Sequence, residues 1–196
     1  MSKIAAAAAG LLLCLVASEA AAVFTFAPLI AFRRITLRVG SAGGTIDTVT
    51  FNVTGANISP SPTPVTGVAS GPTTSPTGGV EVNMLAELPF PGNTTQVTLN
   101  VDSSGAGLVC VGGSGCGSTV IPFNTISWTS ANRDATYAGL DIGPGTFNGG
   151  TQSLASFFVS GGSLNMSNVL TFTYNNATVY PAGQYTGRVV YTAAMP

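Results

Sequence analysis

The sequence contains no histidine, and its only lysine is Lys3. These absences exclude the Ser-His and Cys-His nucleophile systems, and beyond the first residues they exclude a Ser-Lys dyad or a Schiff-base lysine. Charge is scarce as well, with 6 basic and 7 acidic residues in the 196-residue chain. The sequence therefore provides no basic patch for nucleic acid or for an anionic membrane surface.

Residues 1–22 have the pattern of a secretory signal peptide. Lys3 gives the positive start, residues 4–16 are apolar, and small residues precede Ala22. We predict a signal-peptide helix that is cleaved after Ala22, which leaves a secreted, periplasmic or cell-surface protein without membrane contact. The alternative is a retained membrane anchor, because Glu19 is the only charged residue in a long apolar stretch.

Two cysteines, Cys110 and Cys116, follow the predicted signal. The five residues between them include three glycines, so the turn closes without strain. In an oxidising compartment such a pair predicts a disulfide. The alternative is a metal or redox thiol pair, and metal is disfavoured because the chain after residue 22 has no histidine and no further cysteine to complete a site.

Short runs in which apolar and polar residues alternate extend from Arg34 to the end of the chain. They are ITLRV, IDTVTFNV, VEVNMLA, TQVTLNV, GLVCV, STVIPFNTISW, LASFFV, NVLTFTY and GQYTGRVVYTA. Alternation with period two predicts β-strands, and many short strands separated by Gly, Pro and Asn turns indicate an all-β antiparallel sandwich or barrel. The uneven spacings and one long connection favour the sandwich. We expect one domain over residues 34–196. Its long connection, residues 55–79, holds a short strand at PVTGV.

Carboxylate-pair hydrolysis is the enzyme chemistry that the composition leaves open. Glu81 and Glu87 share a face of one predicted strand, but six residues of strand separate them by roughly 20 Å. A glycosidase pair needs about 5–10 Å. We therefore expect both side chains to be ordinary solvated strand positions, and we predict no catalytic residue.

Two weaker binding patterns lie in the segment ANRDATYAGLDIGPGTFNGG. Its oxygen ligands suggest a calcium site, although their spacing does not match an EF-hand loop, and we predict no metal cofactor. These candidate oxygen ligands are Asn132, Asp134, Asp141 and Asn148. Trp128 and Tyr137 suggest an aromatic sugar platform, but a tryptophan on an alternating strand is more often part of the core.

Five Asn-x-Ser/Thr triplets also occur, and they matter only in a host that glycosylates. Their asparagines are Asn52, Asn57, Asn93, Asn165 and Asn176.

The carboxyl-terminal stretch VYPAGQYTGRVVYTAAMP resembles the closing strand of chaperone–usher pilins and of spore-coat-U-type proteins. The matching positions are Gly183, Tyr185, Val189 and Tyr191. The resemblance implies an immunoglobulin-like β-sandwich that lacks one strand. In those families the amino-terminal extension of the next subunit fills the gap.

An apolar segment, residues 23–33, follows the predicted signal and fits this scheme. The resemblance implies that its large side chains fill the pockets of a neighbour: Phe24, Phe26, Ile30 and Phe32. Three features depart from the pilin pattern. Pro28 interrupts the proposed strand, and the Cys110–Cys116 spacing is much shorter than the usual pilin disulfide. The number of predicted strands is also enough for a complete sandwich.

The sequence therefore predicts a fimbria-like or coat-like structural subunit that has no enzymatic activity or cofactor. Its expected partners are copies of itself or other envelope subunits. The alternative is a monomeric β-sandwich that binds a glycan or acts as an adhesive module. A carboxylate or calcium-assisted glycosidase is the third and least supported function.

Overall fold

The computed structural model describes residues 33–40, 48–71, 76–88, 94–132 and 141–196. Its regular structure is β, apart from two 3₁₀ turns at Gly55–Asn57 and Phe123–Thr125. All strand pairings are antiparallel, so the predicted all-β antiparallel class is confirmed. The strands are β1 (Arg34–Val39), β2 (Val49–Val53), β3 (Val65–Thr66), β4 (Val68–Ala69), β5 (Val80–Leu88), β6 (Thr94–Asp102), β7 (Leu108–Cys110), β8 (Val120–Ile121), β9 (Ile126–Asn132), β10 (Gly145–Thr146), β11 (Thr151–Ser160), β12 (Gly162–Tyr174), β13 (Gly183–Thr186) and β14 (Val190–Ala194).

The strands form three sheets. The largest has the order β1-β5-β12-β9-β10, with β3 added on β12. A second sheet has the order β11-β6-β14, and a third has the order β4-β2-β13-β7-β8. The connection at residues 64–69 passes from one sheet to another, because β3 pairs with β12 and β4 pairs with β2. The short strand predicted at PVTGV is therefore present as two two-residue strands.

Alternation along the central strands places one apolar row of each strand in the interior. On β5 the side chains of Val82, Met84 and Ala86 have no exposed surface, and on β6 the same holds for Val97 and Leu99. These rows and those of the third sheet join one hydrophobic cluster. The sequence pattern predicted these rows, because alternate residues of a strand face the same side.

Residues 94–110 and residues 183–194 pair with each other twice, once in the second sheet and once in the third. β13 pairs with β7 up to Thr186↔Val109, and β14 pairs with β6 from Val190↔Asp102 onward. Residues 187–189 lie in the break between the two ladders. We call this interrupted pair of segments the ribbon, and it links the second sheet to the third.

The prediction of a single strand for GQYTGRVVYTA is wrong. The segment forms β13 and β14, with a break at Gly187. A Cβ atom on Gly187 would lie 2.8 Å from Leu108 Cδ2 and 2.9 Å from Phe123 Cζ, so the strand is interrupted at a position where only glycine fits against the core. The run STVIPFNTISW is likewise divided, since Pro122 has no N–H for a ladder and is followed by a 3₁₀ turn before β9.

Candidate functional site

β1 and β14 are edge strands of different sheets that lie beside each other. Among the described residues no backbone ladder joins them, because β1 pairs with β5 and β14 pairs with β6. A side-chain bond closes one end of the gap, where Arg33 Nη1 donates to the backbone oxygen of Pro196 at 2.7 Å. The Thr95 hydroxyl donates to the same oxygen at 2.7 Å. We call the region between β1 and β14 the seam.

Apolar side chains of both strands line the inner side of the seam. They are only half-buried, although they pack against the core: Ile35, Leu37, Val39, Tyr191, Ala193 and Met195. The corresponding row of the neighbouring strand β5 is fully covered, as Met84 shows. The described residues therefore leave the seam incompletely covered, and an added strand with alternate apolar side chains fits such a site.

The segment that carries the predicted subunit contact directly precedes, in the sequence, the described residues at this seam. Phe24, Phe26, Ile30 and Phe32 lie outside the described residues, so their role stays a prediction. Phe32 immediately precedes Arg33 in the sequence, and Arg33 is the residue bonded at the end of the seam. The apolar segment is thus covalently anchored beside the gap that it is predicted to fill in a neighbouring chain.

A second open edge belongs to β11, whose sheet partner among the described residues is β6. This strand of ten residues contains no proline and no charged residue. Phe158 projects from its outer face with 70% of its surface exposed. A bulge between Ser153 and Ala155 interrupts the register and protects part of the edge. The rest of β11 lacks the charges that commonly prevent strand addition.

The predicted disulfide is present. Cys110 at the end of β7 is bonded to Cys116, with 5.7 Å between their Cα atoms. Ser114 stabilises the loop because its hydroxyl donates to the Val111 carbonyl at 2.6 Å. Cys116 is buried. The disulfide loop packs on the ribbon at Gly183, where a Cβ would lie 2.4 Å from Cys116 Sγ.

The two strand carboxylates lie on the outer face of the largest sheet, as the alternation predicts. Glu87 Oε2 is 3.0 Å from Arg34 Nε, and this pair is substantially exposed. Glu81 lies further along β5, opposite Val169 of β12. Their placement gives no paired-carboxylate geometry on this strand, because they remain six residues apart along it.

The calcium candidates have separate hydrogen-bonding roles where the structure describes them. Asp141 Oδ1 accepts a hydrogen bond from Asn168 Nδ2 at 3.0 Å. Asn148 Oδ1 accepts the backbone N–H of Gly150 at 2.7 Å and so fixes a turn. Asp134 and the side chain of Asn132 lie outside the described residues. No group of three or more metal-ligating side chains occurs among the described residues.

Of the two aromatic candidates for a sugar platform, the structure describes only Trp128. Trp128 is buried, and its Nε1–H donates to the Gly143 carbonyl at 2.9 Å. Its ring packs on Phe147 with centroids 4.9 Å apart. Trp128 is therefore a core residue and not an exposed sugar platform, while Tyr137 lies outside the described residues.

Asn176 is a structural residue that sequence reasoning treated only as a glycosylation triplet. It is buried, has φ +52°, and its Nδ2 donates to the carbonyls of Asn57 and Thr63 at 2.7 and 2.9 Å. It ties the long connection to the end of β12, and its amide is not available to a glycan in the folded chain. Of the other triplets, Asn52 is exposed, and Asn165 accepts a hydrogen bond from Asn83 Nδ2 at 3.0 Å.

The residues behind the pilin resemblance occupy both parts of the ribbon. Gly183 and Tyr185 are buried in β13, and the Tyr185 hydroxyl donates to the Pro181 carbonyl at 2.7 Å. Val189 lies in the break, and Tyr191 lies on the inner side of β14. Burial raises the pKa of the Tyr191 hydroxyl. Of these four residues, Tyr191 therefore lies at the seam, and Gly183 and Tyr185 lie in the third sheet.

Comparison with protein-family profiles, curated protein sequences and solved structures finds no match to this chain. Among the described residues, no helix has the length and apolar character needed to cross a membrane.

Proposed function

We propose that this chain is a non-catalytic structural subunit that assembles with other subunits through β-strand contacts outside the cytoplasm. The observation that carries the proposal is the seam, where two neighbouring edge strands share no ladder and expose half-buried apolar rows. The antiparallel sheets around one core support the immunoglobulin-like sandwich that the resemblance implies. An incomplete sandwich of this kind accepts a strand from a partner.

The occupant that we propose for the seam is the apolar segment of a neighbouring copy, residues 23–32. Its four large apolar side chains each gain about 1.5–3 kcal/mol if burial is complete. Left in water, the same segment and the open seam promote aggregation. The segment is joined to the rest of the chain beside its own seam. When each copy inserts its segment into the seam of the next copy, the segment and the seam are both buried. Repetition of this contact from copy to copy builds a fibre.

The disulfide and the signal-like residues 1–22 support an oxidising compartment for this assembly. The scarcity of charge also suits subunits that pack closely on one another. The glycan-binding alternative receives no support from Trp128, because that side chain is buried.

Cysteine trapping tests the exchange. One variant carries Phe26→Cys and a second carries Ala193→Cys in β14, and the two are co-expressed with Cys110 and Cys116 intact. We expect a covalent dimer between the two variants on non-reducing gels, and little from either variant alone. The matched control replaces the β14 partner by Val109→Cys, an exposed position on the third sheet.

A chain that carries both Phe26→Cys and Ala193→Cys distinguishes exchange from self-pairing. Our proposal expects ladders of covalent oligomers from this chain. A monomer that loses its two added thiols without gaining mass from a partner shows that the segment covers its own seam, and that result overturns strand exchange.

A further inference from the structure

The open edge of β11 carries an uninterrupted run of strand after its bulge. Residues 155–160 pair with β6 from Ala155↔Leu99 to Ser160↔Thr94 without a register shift. Among the described residues, no backbone hydrogen bond outside that ladder involves this run. Successive residues of a strand direct their N–H and C=O groups to opposite sides, so alternate residues of the run present unpaired groups at the open edge. Another strand carries the groups that match them.

The outer face of this run isolates one aromatic side chain. Ser156 Oγ accepts a hydrogen bond from Gln96 Nε2 at 2.8 Å, and Ser160 Oγ accepts one from Thr94 Oγ1 at 3.3 Å. Both serines are thus bonded to β6. Phe158 lies between them with 70% of its surface exposed, the largest fraction among the exposed large apolar side chains described. A phenyl ring in this position suits an aromatic side chain on an adjoining strand.

The inner face of the run is apolar and incompletely covered. Phe157 lies opposite Val97 of β6 and packs against the core, yet it remains half-buried, whereas Val159 is only 3% exposed. A strand added at the edge covers more of Phe157 when it places an apolar side chain on the same face. The fitting strand therefore carries an aromatic residue on its outer face and an apolar residue beside it on its inner face.

The same run of a second copy has this pattern. When two copies of β11 pair antiparallel about a two-fold axis at Phe158, each Phe158 lies opposite the other, Phe157 lies opposite Val159, and Ser156 lies opposite Ser160. Directly opposite residues share a face, so inner apolar side chains meet inner apolar side chains. A shift of one residue places inner side chains opposite outer ones. A shift of two residues keeps the faces matched but places Phe158 opposite a serine.

Charge does not oppose this pairing of identical strands. β11 contains no charged residue and no proline, and these are the residues that commonly prevent pairing at a sheet edge. The edge strand β1 differs, because Arg34 and Arg38 bring like charges together when two copies of that strand approach. Among these two edges, β11 is therefore the one that suits contact with its own copy.

We propose that β11 pairs with β11 of a second copy, centred on Phe158, so that two three-stranded sheets join in the order β14-β6-β11-β11-β6-β14. A single strand edge buries less than the roughly 800 Å² per partner of a stable dimer. The contact is therefore weak between free copies and effective between copies that are already held close together. It does not rest on strand exchange at the seam, because β11 and β14 are opposite edges of the second sheet.

Disulfide trapping in the mature chain, residues 23–196, tests the pairing in a glutathione redox buffer with Cys110 and Cys116 intact. Phe158→Cys places two cysteines opposite each other. Val68→Cys is the matched control, because Val68 is also exposed, at 60%, but lies on β4 of the third sheet. We expect at least about tenfold more disulfide-linked dimer from Phe158→Cys than from Val68→Cys, because pairing holds the two thiols together. Far-UV circular dichroism verifies that both variants are folded.

Two serine variants test the register and leave Phe158 in place. Ser156→Cys alone should give little dimer, because the two copies of residue 156 lie four residues apart along the paired strands, or roughly 13 Å. A mixture of Ser156→Cys and Ser160→Cys should give a disulfide-linked heterodimer, since these two positions lie opposite each other in the proposed register.

Three results overturn the proposal. They are equal amounts of dimer from Phe158→Cys and Val68→Cys, as much dimer from Ser156→Cys alone as from the serine mixture, and preferential linkage of Phe158→Cys to a co-expressed Phe26→Cys chain. The last result assigns the edge of β11 to the apolar segment of a neighbour. Failure of strand exchange at the seam removes the link between Phe26→Cys and Ala193→Cys but not the link at residue 158, so the two proposals fail separately.

Discussion

At the scale of single residues, the glycines differ in what they do. Gly183 has φ +155°, and a Cβ there would meet Cys116 Sγ at 2.4 Å and Ser114 O at 3.1 Å. Gly113 has φ +81° but open space around it, and Gly112 has open space without a positive φ. Gly183 in β13 thus combines crowding with a positive φ, Gly113 in the disulfide loop has a positive φ alone, and Gly112 in the same loop has neither.

We predict that Gly183→Ala lowers the free energy of unfolding by more than about 2 kcal/mol, because the disulfide must shift to admit the methyl group. Gly113→Ala should cost about 1 kcal/mol through its left-handed backbone alone. Gly112→Ala should change stability by less than about 0.5 kcal/mol. Urea denaturation followed by Trp128 fluorescence measures all three. Equal costs for Gly183→Ala and Gly112→Ala contradict the packing described here.

Tyr174 provides a pH-dependent contribution to stability. It is fully buried and its hydroxyl donates to the Thr178 carbonyl. Burial, with a smaller contribution from the nearby Tyr180, raises the pKa of Tyr174 to about 12 from 10.0. The folded state thus retains a proton that the unfolded state loses above pH 10.

Stability should consequently fall as pH rises from about 10 to about 12, with a slope on the order of 1 kcal/mol per pH unit from this group. The contribution is fully present below pH 10. Tyr174→Phe should be less stable at pH 7, because the hydrogen bond to Thr178 is lost, and its stability should fall less steeply above pH 10. Urea melts at pH 8, 10, 11 and 12 measure both effects. Identical slopes for the two proteins above pH 10 refute the assignment to Tyr174.

At the scale of elements, the ribbon connects the disulfide loop, the core and the seam. β13 places Gly183 and Tyr185 against the loop, and β14 carries Tyr191 to the seam. The break at residues 187–189 allows the same segment to pair in two sheets. A change in the disulfide loop therefore acts first on β7 and β13, and reaches β14 only through the interrupted segment at residues 187–189.

We predict that the double variant Cys110→Ser, Cys116→Ser loses about 2 kcal/mol of stability, which is the chain-entropy expectation for a short loop. Its strand content should persist, because the ladders of β7 do not depend on the bond. Far-UV circular dichroism and urea denaturation measure the two quantities. Alkylation followed by intact-mass measurement of the non-reduced protein should show no free thiol after signal cleavage. Two labelled thiols in that protein contradict the bond.

At the scale of the whole molecule, three sheets share one hydrophobic cluster. At the seam, the apolar side chains of this cluster are less buried than those of the central strands. The rows on β5 and β6 are buried on all sides, whereas those on β1 and β14 are half-exposed. The stability of the subunit and its capacity to assemble are therefore separable, because they depend on different strands.

We predict that deletion of residues 23–32 from the mature chain abolishes oligomers and leaves the melting temperature of the monomer unchanged. The reason is that in our proposal the segment covers a neighbour's seam and not its own, so its removal takes away contacts between subunits and none within the monomer. Light scattering after size exclusion and thermal melts provide the measurements. The control exchanges Phe24 and Phe26 for serine in the full segment, which keeps the length but removes apolar burial. A much lower melting temperature with no change in oligomeric state shows instead that the segment belongs to its own sheet.

The sequence by itself determined the features that depend on local pattern. Alternation of apolar residues places Met84 and Leu99 in the interior, since period two is intrinsic to an extended chain. A glycine-rich turn in a chain with few cysteines determined the pairing of Cys110 with Cys116. The absence of histidine, and of any lysine beyond Lys3, excluded the nucleophile systems that need those side chains before any fold was known.

Only the tertiary structure decided which strands lie at edges and which residues meet across the chain. The division of residues 183–194 at Gly187 depends on Leu108 and Phe123, which are distant in sequence. Asn176 reaches the carbonyls of Asn57 and Thr63, and no local pattern indicates such partners. The seam likewise arises from a missing pairing, since no ladder joins β1 to β14 among the described residues. A missing pairing is a property of strand order, and strand order is determined by packing of the whole chain.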